Sequence, residues 1–308
     1  MIYRSSGSNE VSATQPAIAA VGSGESLELR TLDAYAGRDV TPEAVLEPTF
    51  FPGKLPVTGP VEVVGARPGG WVALTMDELE PLTTGTLIMR KGLGLLGRTW
   101  EGPPTPYRFT ISAGRASNPD LGTFDVRPMI GSISVAPPGG DSVWSGLAGI
   151  HVGNFDCPEF GPGATICLPV FHPGALIYFA DGHARMGHGE LGGTGIEAGM
   201  RIKMSANNVD GPEHEASGTN PLVLASDSWL AALGRGAAVE NAALSAIAAL
   251  RTWLAFFHCD HIDARLSLQG EVRVCQIVNN EVTVAVGLEP HEQLRDELQR
   301  WLAAKPRA

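Results

Sequence analysis

Residues 179–190 read FADGHARMGHGE, a stretch that gathers Asp181, His183, His188 and Glu190. Carboxylates and imidazoles are the oxygen and nitrogen donors of a divalent cation, and they also serve as general acids and bases near neutral pH. The stretch follows the apolar run LPVFHPGALIYF (168–179), so its polar groups stand where a hydrophobic strand ends. Glycines there let the backbone turn without breaking a ladder. Asn154 and Asp156 in GIHVGNFDCPEFGPG (149–163) and Glu197 in TGIEAG (194–199) extend the pool. Three or four of these groups would hold a metal, with one position open for water if the metal is catalytic. Asp-Gly and His-Gly pairs are also ordinary turn chemistry, and a solvated hairpin tip uses the same residues.

Other chemistries fit less well. A cupin-type barrel places two histidines one residue apart, whereas His183 and His188 have four residues between them. No G-x-S-x-G is present, so a nucleophile elbow is unsupported, and no lysine has the setting of a Ser-Lys pair. Cys157 beside Asp156 reads as a packed thiol before it reads as a nucleophile. GLGLLG (92–97) lacks the strand and following helix that a dinucleotide loop requires. HCDH (258–261) falls at the end of a long helix, where histidine meets the helix dipole favourably.

The elements that must position these groups are mostly strands. SLELRTLDA, PVEVVGA, WVALTMDEL and ALIYF are short apolar or alternating runs between Gly/Pro turns. In WVALTMDEL, Val72, Leu74 and Met76 share one face, as in a half-buried strand. The last eighty or so residues change character. From Gly236 to Phe257, Val239, Ala243, Ile247, Leu250, Leu254 and Phe257 recur at helical spacing and predict an amphipathic helix. EVRVCQIV and EVTVAVGL alternate with period two around Asn279-Asn280, a pair suited to a tight left-handed turn. HEQLRDELQRWLAA (291–304) predicts a terminal helix. The expected fold is mainly β: a β-sandwich-like core of short strands with a smaller C-terminal α/β subdomain. Its expected parts are an N-terminal arm (1–20), a β-rich core carrying the site (21–215), and a helix-hairpin-helix unit docked on it (216–308).

Composition narrows the partners. The chain of 308 residues carries a net charge of -11, which disfavours nucleic acid and anionic membrane surfaces. No apolar run reaches the roughly 18 residues of a membrane-spanning helix. The N-terminal stretch lacks a compact apolar core before a small-residue cleavage site, so no signal peptide is expected. The four cysteines, Cys157, Cys167, Cys259 and Cys275, have no CxxC spacing and read as buried free thiols in a reducing, cytoplasmic setting.

Several segments in order resemble the acetamidase/formamidase family. VTGPVEVVGARPGG (57–70), PMIGSISVAP (128–137), HVGNFD (151–156), LPVFHPGALIYFADGHARMGHGE (168–190) and TGIE (194–197) are similar to its motifs, and DARLSLQGEVRVCQIVNN (263–280) falls in the expected place. The resemblance spans residues 20–290. It implies a β-sandwich-like hydrolase of carbon-nitrogen bonds in small amides, with a bound divalent metal, zinc or calcium, and a homo-oligomer of two or more copies; the histidine at position 188 favours zinc. Mapped onto this chain, it implies Asp156, Asp181 and His183 as metal or water-positioning groups. Glu190 is the implied general base with Glu197 in reserve, and Asn154 the oxyanion donor. His188 stands where the family carries a carboxylate, Val152 replaces a glycine, Gly70 an aspartate and Met186 a glutamine. His188 is therefore expected at the catalytic centre, tuning the substrate between linear and cyclic amides and shifting the site towards a softer ion. The alternative is a catalytically lapsed member that binds a small polar ligand.

Overall fold

The computed structural model describes residues 3–4, 8–46, 55–214, 221–225 and 228–303. The expected boundary between 215 and 216 lies outside them. Strand-forming runs assemble into two large facing sheets. The six-stranded sheet runs in the order Ala148–Gly149, Val152–Asn154, Met129–Val135, Ile177–His183, Thr58–Val63, Ala19–Val21. The nine-stranded sheet includes Ser26–Arg30, Met200–Val209, Trp71–Pro81 and Thr165–Pro169. It continues through Leu222–Ala225, Trp229–Gly236, Val282–Leu288 and Glu271–Gln276, so strands of the C-terminal third extend the same sheet. A four-stranded sheet built from Thr84–Met89, Thr105–Ser112, Arg115–Asn118 and Gly122–Asp125 stands beside them. The mainly β, sandwich-like architecture is the expected one.

Trp71–Pro81 shows how the layers stack. Val72, Leu74 and Met76 enter the large core with Ile133, Val135, Ile177 and Phe179 of the facing sheet. Trp71 and Ala73 enter a second core with Ala246, Leu250 and Trp253 of the long helix. The first part of this strand is thus buried on both faces rather than half-buried, because helices cover the back of the nine-stranded sheet. Trp71 and Trp253 meet edge to face at 4.7 Å, and burying side chains of this kind contributes roughly 1.5–3 kcal/mol each.

The long helix is Val239–Phe256, and its buried face is Ala242, Ala246, Ala249, Leu250, Trp253 and Leu254. The predicted stripe differs: Val239 is exposed and Ala243 and Ile247 are only partly buried, while Leu250, Leu254 and Phe257 keep their places. The cause is a close approach to the sheet. A Cβ at Gly234 would collide with the backbone of Ala242 and Ala246, so the helix presents its smallest residues there and rotates its larger aliphatics to the rim. The C-terminal hairpin pairs Glu271–Gln276 with Val282–Leu288. Neither Asn279 nor Asn280 takes a positive φ. Gln276 closes the turn instead: its Oε1 accepts from Val278 N (2.7 Å) and Asn279 N (3.0 Å), and its Nε2 donates to Glu281 O (2.8 Å). The terminal helix is Glu292–Ala303. No helix among the described residues is long and apolar enough to cross a membrane.

Candidate metal and active site

The strand Ile177–His183 carries Asp181 and His183 to its end. Its pairing with Met129–Val135 runs Ile130↔Gly182 and then Ser132↔Ala180, with no pair at Gly131 and Asp181. Asp181 has φ 61 there, and Asp156 N donates to Gly131 O at 3.0 Å. Gly131 is required at this point. A Cβ on it would collide with Asp156 Oδ1 and with the Asp181 carboxylate, so the missing side chain is the space in which two carboxylates converge. Asp156 has φ 50 and Glu190 φ 46. Left-handed backbone costs roughly 1–2 kcal/mol at a non-glycine residue, and three such residues in one cluster mark a site whose geometry is imposed by its surroundings.

Glu197 arrives from the next segment. Its backbone exchanges hydrogen bonds with Thr86 (2.9 and 3.0 Å), and its Oε1 accepts from Gly195 N at 2.9 Å. His183 Nε2 lies 2.9 Å from Glu197 Oε1 and 3.7 Å from Asp181 Oδ1. Neither approach has hydrogen-bond geometry, and both ring nitrogens of this fully buried histidine lack a hydrogen-bond partner. Asp156 Oδ1 and Glu197 Oε2 are likewise buried without a partner. Asn154 Nδ2 donates to Asp156 Oδ2 at 2.7 Å, so one of its amide hydrogens orients that carboxylate.

Ligand atoms of Asp156, Asp181 and His183 lie within 4.8 Å of one another, as do those of His183, Glu190 and Glu197. Among the described residues these are the groups with metal-ligand spacing, and HCDH (258–261) is not one of them. Two like charges at that separation repel by about 3–4 kcal/mol at an effective dielectric near 20. Burial, and then this repulsion, pushes Asp156 and Glu190 well above the usual carboxylate range. Burial and the neighbouring Glu197 push Asp181 up to about 7, and burial pushes Glu197 up to about 8. Burial holds His183 below its ordinary value, so it is a neutral donor. No lysine or arginine is among the groups that set these four carboxyl groups. Orphaned nitrogen and oxygen atoms around a glycine-made space are the donor set of a divalent cation.

A cavity of about 240 Å³ opens onto the cluster, lined by Asn154, Asp181, Glu190 and Glu197 with Tyr35, Arg90, Leu93 and Trp144 among others. Tyr35 escapes sequence reading because TLDAYAG looks like an ordinary turn. Asp33 Oδ1 accepts from Tyr35 N and Gly37 N at 2.9 Å each, and the ring is 2% exposed. Burial, and then the negative field of Glu197 and Asp181, holds its phenol well above the ordinary value. GLGLLG is a wall rather than a phosphate loop: Leu93 lines the cavity and Gly94 packs on the backbone around Gly193.

The structure therefore brings together Asn154, Asp156, Asp181, His183, Glu190 and Glu197. It does not bring His188. That side chain is 47% exposed and its Nε2 lies 3.0 Å from Glu159 Oε1. Gly189 (φ 86) and Glu190 (φ 46) turn the chain, so the imidazole pairs with Glu159 while the Glu190 carboxyl joins the cluster, although both residues border a second cavity.

Known proteins resemble this chain in sequence segment and in fold. Residues 148–254, which hold every clustered residue, match the model of the acetamidase/formamidase family. That match covers about a third of the chain, and solved structures share the fold along nearly its whole length. A predicted acetamidase/formamidase from the thermophile Thermoanaerobacter tengcongensis shares 27% identity over 98% of each chain, with a TM-score of 0.83. An acetamidase from Bacillus halodurans shares 26% identity over 98% of this chain and 99% of its own, with a TM-score of 0.84. An acetamidase from Yersinia enterocolitica has the same fold at 24% identity, over 94% and 92% of the chains, with a TM-score of 0.80. No curated protein sequence gives a significant match. Within the segment that matches the family model, His188 falls beside the clustered residues and not among them.

Proposed function

We propose that the chain hydrolyses a small amide, linear or cyclic, to a carboxylate and ammonia, or to an amino acid when the ring opens. The observation that supports this reading is the burial of four carboxylates around one neutral imidazole beside a cavity, with no lysine or arginine among the groups that set their proton affinity. Asp156, Asp181 and His183 would hold a divalent cation. When bound, it would supply polarisation of the amide carbonyl and acidification of the attacking water. Zinc suits a set containing an imidazole better than calcium does; His188 adds nothing to that preference, because it pairs with Glu159.

Glu190 is the group that takes the proton from water and returns it to the leaving nitrogen. It reaches the cavity wall, and its raised affinity for protons suits a base that must later act as an acid. Glu197 is held by Gly195 N and faces His183, which makes it a ligand or a reserve proton carrier. Asn154 keeps one amide hydrogen for the developing oxyanion after bonding Asp156. Tyr35 stays protonated and, with Leu93 and Trp144, keeps bulk water from the cavity.

The test is ammonia release from short-chain and aromatic primary amides and amino-acid formation from cyclic amides, each with Glu190→Gln in parallel. Turnover of at least one amide by the wild type and its collapse in folded Glu190→Gln is the expected result. Full turnover by the variant sinks the assignment. One further part of the reading, a homo-oligomer, comes from the family resemblance and is tested by light scattering; a cytoplasmic location rests on the cysteines, which are free thiols.

A further inference from the structure

A buried carboxylate outside the cluster has no part in the chemistry above. The Glu159 side chain is 8% exposed. Its Oε1 accepts from His188 Nε2 at 3.0 Å and from Arg273 Nη1 at 3.0 Å, and its Oε2 accepts the Cys157 thiol at 3.1 Å. Arg273 is itself held by Glu271, through Nη2 to Oε2 at 2.8 Å, and lies 3.9 Å over the Trp229 ring. Burial alone would push the Glu159 carboxyl up. The hydrogen bonds from His188, Cys157 and Arg273 outweigh it and bring the group down to about 2. Burial, first of all, pushes the Cys157 thiol well up, which keeps it a protonated donor.

Two of these partners adjoin a left-handed residue of the cluster. Cys157 directly follows Asp156, and His188 precedes Glu190 by two positions. Between His188 and Glu190, Gly189 N donates to Val274 O (2.8 Å) and Cys275 O (2.9 Å), while Ile277 N donates to Gly189 O (3.2 Å). The strand that follows Arg273 therefore docks the Glu190 loop through its backbone, and Glu159 fixes the same loop through a side chain. Left-handed conformations persist only where such restraints over-determine them.

We propose that Glu159 is a positioning residue for the site: one carboxylate that fixes, through Cys157 and His188, the two segments presenting Asp156 and Glu190. The inference rests on the reading of that site as a metal-dependent amidase. His188 then acts on the reaction only through Glu159. Its place in the sequence, beside Glu190, reflects an anchor rather than a ligand.

The test uses the full-length protein with Glu159→Gln, His188→Ala, His188→Gln and the double variant Glu159→Gln/His188→Ala. Three quantities are read: kcat and KM on the best amide of the panel, zinc affinity by calorimetry, and hydrogen exchange at the Gly189 amide. Glu159→Gln keeps the shape but loses the charge and an acceptor. It should lower kcat and zinc affinity by roughly 10–100-fold, leave KM within about threefold, and speed exchange at Gly189. His188→Ala should lose less. His188→Gln, which returns an N–H near the imidazole Nε2, should recover most of that loss. The double variant should be no worse than Glu159→Gln alone, because both changes remove one connection.

Wild-type kcat, zinc affinity and exchange in Glu159→Gln would overturn the proposal, as would losses that multiply in the double variant. If the wild type turns over no amide, the functional reading fails. Zinc affinity and Gly189 exchange still decide the positioning role. Should Glu159→Gln not fold, the half-exposed His188 pair carries the test, and equal behaviour of His188→Ala and His188→Gln refutes it.

Discussion

Removing divalent metal should make the protein less stable as pH rises through neutrality, the reverse of what ordinary salt-bridged carboxylates do. In the metal-free chain Asp181 and Glu197 hold protons up to about 7 and about 8, from ordinary values of 3.8 and 4.5. The unfolded chain has already released those protons. The folded state then binds more protons than the unfolded one, so stability falls with pH until each folded value is passed. Between about pH 6.5 and about pH 8.5 these two groups together remove about 3 kcal/mol. His183 is held below its ordinary value, and burial pushes His151 down to about 4. Both act with the opposite sign, since only the unfolded chain binds their protons near pH 6.5, and together they return under about 1 kcal/mol. Asp156 and Glu190, held well above the usual range, add to the fall. A net loss of at least about 2 kcal/mol corresponds to a Tm lower by several degrees for a chain of this size, on the order of 2–4 °C per kcal/mol. The assay is thermal unfolding of chelated protein across that interval, repeated with saturating zinc. Bound metal displaces the protons and makes the cluster's contribution grow with pH. A chelated Tm that stays flat or climbs would show that the four carboxylates do not share a proton-holding cluster.

Other expectations follow from single contacts. Gly131→Ala should abolish stoichiometric zinc binding and amide turnover while circular dichroism stays native, because its Cβ meets Asp156 and Asp181; calorimetry checks it. Glu190→Gln should cost roughly 10²–10⁴ in kcat, with KM little changed, in steady-state kinetics. Gly234→Ala should destabilise by roughly 1–3 kcal/mol through overpacking under the long helix, measured by denaturant unfolding, with kcat untouched in the folded fraction. Tyr35→Phe should keep the fold and zinc affinity but lower kcat/KM, since it removes the one phenol at the cavity wall.

Much of the site was legible because its residues sit where sequence marks an end. Asp181 and His183 close an apolar strand, Asn154 and Asp156 lie in a glycine loop, and Glu197 follows Thr194-Gly195. Residue type and spacing report such convergence. They do not report direction. His188 and Glu190 are two apart, yet the left-handed backbone at Gly189 and Glu190 gives their polar atoms different partners. Glu159 and Tyr35 were invisible for a related reason: each looks like a solvated residue until distant segments bury it. The fold shows the same division. Period two located the strands, while the helix face was misjudged because alanine is neutral in a hydropathy pattern and becomes the contact face only where Gly234 brings the sheet close.

The central claim is that the buried carboxylate and imidazole cluster holds a divalent cation needed for amide hydrolysis. Its most direct test is titration of chelated protein with zinc, following heat and ammonia release on the same samples. Stoichiometric binding, with turnover restored in proportion to the bound fraction and both lost in Asp181→Asn, is the predicted result. Ammonia release that survives chelation unchanged, or zinc that binds equally well to Asp181→Asn, would contradict it.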